Sequence, residues 1–181
     1  MKNPLLVVSL VLLVCFVFGC QNKAEKAELE KFRAQAKLVE QNREFVKHYF
    51  EEINKGNLEV LNENCAPEYL YYSPSINPKP MSLKETNEFI KMVSNAFPDV
   101  KWRTEKLFVD GDTAIIWNTV SGTHQGEFAG IPATGNQIKV SSILLWSLKD
   151  GKIIEEREEA DMLGLMQQLG MELKPKQGEK K

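Results

Sequence analysis

Few side chains in this 181-residue chain suit chemistry near neutral pH: two histidines, three cysteines and a set of carboxylates. Histidine titrates in that range without help from its surroundings. His124 stands out by its setting, "GTHQGEFAGIPATG", residues 122–135, which holds four glycines and a proline. That is long for a plain hairpin connection. The segment is either a slack surface loop or the rim of a ligand site. Phe128 and Ile131 are poor choices for a solvated loop, so we read the segment as a lid over an apolar opening. His124 itself reads first as a hydrogen-bonded rim residue. His48 and His124 lie about 76 residues apart, and no Cys-x-x-Cys pair is present, so no zinc site is expected. Cys65, in "LNENCAPEYL", sits at an apolar helix end and reads as a buried structural thiol. Asp161 directly precedes "MLGL", where aspartate is a favoured N-cap.

The elements that must position these groups begin after a leader. Lys2 precedes "LLVVSLVLLVCFVF", residues 5–18. This run is short for a membrane span, which needs roughly 20 residues, and suits a signal peptide over residues 1–19. It ends in "VFGC", which resembles a bacterial lipobox, with Phe18 where a smaller residue is usual. This is preferred over a plain secretory signal or an uncleaved anchor. Cleavage would leave Cys20 as a lipidated N-terminus holding the protein on the extracytoplasmic side of a membrane. Gln21 is not the aspartate of inner-membrane retention, so an outer membrane is open in a two-membrane cell. Residues 20–40 are rich in Ala, Glu, Lys and Gln and read as a charged helical stalk.

From Leu38 the pattern tightens. Phe45, Val46, Tyr49, Phe50 and Ile53 recur at helical spacing, and Gly56 with Asn57 stops the helix. "LEVLNENC" is a short helix. "YLYYSPSINPKP" is a short strand running into a loop. "SLKETNEFIKMVSNAF" opens with a capping box, Ser82 and Glu85. Four period-two runs follow, joined in part by the hairpin signals "DGD" and "KDG". "MLGLMQQLG" is a last helix and residues 173–181 a charged tail. Helices followed by antiparallel strands predict an α+β domain over residues 41–172, with a curved antiparallel sheet wrapped around the helices. Composition is ordinary for one globular domain, with 43% hydrophobic and 27% charged residues and a net charge of −2. No basic patch points to nucleic acid.

"AFPDV", "VDGD", "GTHQGEFAGIPATG", "DGKIIEE" and the closing "D…L…QQLG", in that order, resemble the SnoaL-like polyketide cyclases, also called ester cyclase-like proteins. The resemblance runs from about Val46 to Gly170. It implies the cone-shaped fold of nuclear transport factor two and chemistry without a cofactor. It places the proton-transferring aspartate at Asp161 and a histidine near the cone mouth at His124. On the floor of an apolar cavity, burial would raise the pKa of Asp161 into a useful range.

The departures from the family pattern bear on activity. Glu156 and Arg157 stand where histidine and tryptophan are frequent, Tyr72 where histidine is frequent, and the apolar Leu144 near a polar catalytic position. Strict alternation puts Ile153, Glu155, Arg157, Glu159 and Asp161 on one face, so Arg157 would pair with Asp161 unless a bulge intervenes. Trp117 is the best pocket candidate among the tryptophans, with Tyr72, Phe128 and Arg157 as further lining. Three readings follow: a lipid-anchored module binding a small hydrophobic or aromatic molecule, an enzyme using Asp161 and His124 in acid–base chemistry, and a homodimeric scaffold paired through its outer sheet face.

Overall fold

The computed structural model describes residues 4–172 and 174, with side chains from Lys23 onward. The leader's side chains and most of the tail therefore lie outside the described residues. Helix α1 (Pro4–Asn54) runs through both the charged segment 20–40 and the apolar-striped segment that follows it. From Lys23 to Leu38 every residue is exposed, and the first buried one is Asn42. Beyond it Val46, Tyr49, Phe50 and Ile53 form the apolar stripe that packs into the domain. Two buried-side asparagines tie this part of α1 to the sheet. Asn42 donates to the Gly111 carbonyl at 2.8 Å, and Asn54 both donates to the Trp102 carbonyl and accepts from its N–H.

Short helix α2 (Glu59–Asn64) leads into β1 (Cys65–Ser73) and β2 (Asn77–Ser82). Helix α3 (Leu83–Ala96) starts at Ser82, where the expected capping box with Glu85 is formed. Strands β3 (Lys101–Asp110), β4 (Thr113–Thr123), β5 (Gln137–Lys149) and β6 (Lys152–Ala160) follow, then α4 (Met162–Gln168). One six-stranded sheet has the order β2-β1-β6-β5-β4-β3. It is mixed, because β1 runs parallel to β6 while the other pairs are antiparallel. The expected wholly antiparallel sheet is corrected in that respect. Proline-rich "NPKP", expected as loop, forms β2; it is tolerated there because β2 is an edge strand and need not donate on both sides.

The sheet curves around α1 and α3, and register breaks in β1, β3 and β6 sharpen the bend. Two apolar clusters fill the concave side. One centres on Trp146, stacked on Phe50 at 5.6 Å and edge-on to Tyr49 at 4.9 Å. The other groups Phe97, Phe128, Val140, Leu165 and Leu169.

Residues 122–135 fold back on the domain. Phe128 and Ile131 exchange backbone hydrogen bonds across a tight turn whose central residues, Ala129 and Gly130, both have positive φ. Phe128 is thereby pressed into the core. At Gly126 a Cβ would lie 2.5 Å from the Asn95 carbonyl oxygen, so only glycine lets this segment dock on the end of α3.

Candidate ligand site

Between the two apolar clusters lies a hollow of about 120 Å³, lined by members of both. Its walls are aromatic and aliphatic, with Phe50, Phe89, Phe97, Phe128 and Trp146 among them. The inner face of the sheet supplies Tyr71 of β1, Ser142 of β5, and Glu156 and Glu158 of β6, and the helices add Tyr49 of α1 and Thr86 of α3. The alignment of the sheet groups follows from register. Trp146, Glu156 and Tyr71 are neighbours across three strands, and Leu144 lies beside Glu158. A bulge sets the phase of β6. Leu148 pairs with Ile153 and Ser147 with Glu155, which leaves Ile154 as an extra residue. Beyond it the even-numbered residues face inward.

Each inward carboxyl has a phenol. Tyr69 Oη donates to Glu156 Oε2 at 2.7 Å, and Tyr71 Oη donates to Glu158 Oε2 in a short hydrogen bond. Burial strips water from both carboxylates and raises their pKa values. Glu156 is pushed up to about 7, the Tyr69 hydrogen bond acting in the opposite sense. Glu158, half-buried where it borders the hollow, is raised by the same cause and held back by Tyr71. Burial also pushes up the Tyr69 and Tyr71 hydroxyls and the free Cys65 thiol, so these remain protonated donors. Ser142 and Trp146 lie close enough to favour charge on Glu158 and Glu156, yet Ser142 Oγ and Trp146 Nε1 make no hydrogen bond of normal geometry. Among the described residues no group of three His, Cys, Asp or Glu could hold a metal ion.

The sequence-derived candidates are dispersed. Asp161 is exposed and caps α4, its Oδ1 accepting from the Gly164 N–H at 2.8 Å. Arg157 does not pair with it. The bulge turns Arg157 outward, where it bonds Glu155 at 2.7 Å and lies 4.3 Å over the Tyr72 ring. Trp117 is on the outer sheet face, 42% exposed, and donates to Ser141. His124 is fully buried, stacked on Phe97 at 5.2 Å, with Nδ1 3.1 Å from Thr134 Oγ1 and Nε2 without a partner. It does not line the hollow, whereas Phe128 does. The acidic base of the hollow is thus Glu156 and Glu158. Two signals for them stood in the sequence: the doubled isoleucine of "KIIEE", which breaks a strict alternation, and the period-two tyrosines Tyr69 and Tyr71.

A curved sheet closed by helices over a small apolar chamber, with acids on the sheet wall, defines a class of cone-shaped α+β proteins. The chain belongs to the SnoaL-like polyketide cyclase family, which matches it over residues 43–169. Among solved structures, TsrD from Streptomyces laurentii is 28% identical with a TM-score of 0.63, over 72% of this chain and 95% of that one. A protein from Jannaschia sp. CCS1, named for the same family, is 25% identical with a TM-score of 0.66, over 75% and 96% of the two chains. AclR from Streptomyces galilaeus, at 23% identity and a TM-score of 0.67 over 74% and 97%, shares the fold. No curated protein sequence matches the chain.

The Glu156 carboxyl makes stability depend on pH. Its pKa is about 7 when folded against an ordinary 4.5. The folded chain binds this proton more tightly, so the contribution is fully present below about pH 4.5 and is lost as pH rises to about 7. The gap corresponds to roughly 3 kcal/mol. Glu156→Gln keeps an acceptor for Tyr69 and removes the titration. Urea unfolding between pH 4.5 and 7.5 is expected to show a flatter profile in the variant by about that amount. An unchanged slope would assign the dependence elsewhere.

Proposed function

We propose that this protein is a lipid-anchored extracytoplasmic module whose SnoaL-like domain binds a small hydrophobic or aromatic molecule. The observation that carries this reading is the hollow lined by aliphatic and aromatic side chains inside the packed domain. Burial of apolar ligand surface contributes about 25 cal/mol per Å². The hollow is slightly smaller than a cavity of about 150 Å³ known to take benzene, so the occupant is of one-ring size. Tethering is supported by the apolar leader ending in "VFGC", with Cys20 as the lipid carrier.

A second reading is enzymatic. Asp161 caps a helix and His124 lies behind Phe97, whereas Glu156 and Glu158 border the hollow with raised pKa values. A carboxyl that exchanges its proton near neutrality is suited to cofactor-free acid–base chemistry on a bound ketone or ester. A homodimer is supported by the outer sheet face. Phe108, Ile115 and Leu145 form one exposed cross-strand row, and Trp117 and Ile143 the next. Lys106 and Glu159 flank the second row on opposite sides. A two-fold axis along the strands would lay each lysine over the other copy's glutamate.

In thermal-shift measurements, cyclohexanol is expected to raise Tm in the parent protein. Filling the hollow by Ala160→Phe should abolish that shift; an equal shift in the filled variant would place binding elsewhere. Metabolic labelling with a tagged fatty acid in a bacterial host should mark the parent protein and not Cys20→Ala, and an unlabelled parent would refute lipid tethering. Light scattering should give twice the chain mass for the domain and a single mass for Ile143→Lys; a monomeric parent would remove the dimer.

A further inference from the structure

We propose that the hollow is an amine site: it takes a small apolar molecule bearing one protonated amino group, with the ammonium against Glu158 and Ser142. This rests on the ligand-binding reading above and specifies the ligand's chemistry.

Among the described residues no lysine, arginine or histidine lines the hollow, while two glutamates do. An anionic ligand would meet only like charge and no compensating donor of full charge, at a heavy desolvation cost. The carboxyls also have unused capacity. Both tyrosine hydrogen bonds go to Oε2, and no hydrogen bond is made to Oε1 of Glu156 or Glu158. Beside them Ser142, only 2% exposed, has a hydroxyl without a partner. An ammonium brings three donors and no acceptor, which matches a cluster of spare acceptors. An alcohol brings one donor and leaves the rest unmet. The remaining walls suit a cation too. Phe50, Phe89 and Trp146 line the same hollow, and ring faces attract a desolvated positive charge. The Trp146 N–H is a donor and supports charge on Glu156, the state an ammonium requires.

Titratable groups facing Glu158 are Tyr71 from β1, Glu156 and the neighbouring Glu159 from β6, and Tyr49 from α1. None is cationic. Amine binding therefore strips the carboxyl of its proton and strengthens as pH rises through the carboxyl titration. Alcohol binding has no such dependence.

Cyclohexylamine, cyclohexanol and cyclohexanecarboxylate provide similar apolar bodies with the three charge types. Calorimetric titration of the parent protein at pH 5.5 and 8 is expected to rank amine above alcohol at pH 8 by at least tenfold in Kd. The amine should weaken at pH 5.5, and the carboxylate should not bind. In Glu158→Gln the amine should lose about tenfold while cyclohexanol is retained. Equal or better binding of cyclohexanol than of cyclohexylamine to the parent protein would overturn the amine assignment and leave the ligand site standing. Failure of both to bind would remove the site itself. The parent comparison decides the matter even where the variant does not fold.

Discussion

The single extra residue at Ile154 decides which side chains of β6 line the hollow. A strand without it would keep Ile153, Glu155, Arg157 and Glu159 on one face. With it, Glu156 and Glu158 turn toward the helices and Arg157 turns to solvent. Among the described residues the chamber therefore has acids and no cation. Its character is set by one shift of phase and not by the identity of any residue at the helix end.

Two carboxyls in an apolar interior are tolerable only because each has a local partner. Tyr69 and Tyr71 sit on the parallel neighbour β1, at heights that bring each phenol to one carboxyl oxygen. Because β1 and β6 run parallel, both phenols lean the same way: Tyr71 sits beside Glu156 in register but bonds Glu158, and Tyr69 bonds Glu156. These hydrogen bonds offset part of the desolvation cost without neutralising the acids. The second oxygen of each remains available.

The fold was legible because its signals are local and mutually consistent. The capping box at Ser82, the "DGD" and "KDG" turns and the alternation of β4 and β5 each specify an element, and the order of elements specifies the layers. The parallel contact of β1 with β6 was not legible, since it joins segments about 85 residues apart and depends on tertiary closure. The site was partly legible. Phe128 was marked by its apolar character in a glycine-rich loop. Glu156 and Glu158 were only faintly marked, by the doubled isoleucine and the period-two tyrosines, because strict alternation points them outward and the bulge reverses it. Trp117 misled because aromatic bulk fits an inner wall and an exposed sheet face equally well.

The unbroken course of α1 carries a mechanical consequence. Between Lys23 and Asn42 the helix extends roughly 30 Å before it touches the domain. A rod of this kind transmits torsion as well as length. Adding or removing one residue there turns everything beyond it by about 100°. Were the base of this rod held fixed, the number of residues in the shaft would set the compass direction in which the domain faces.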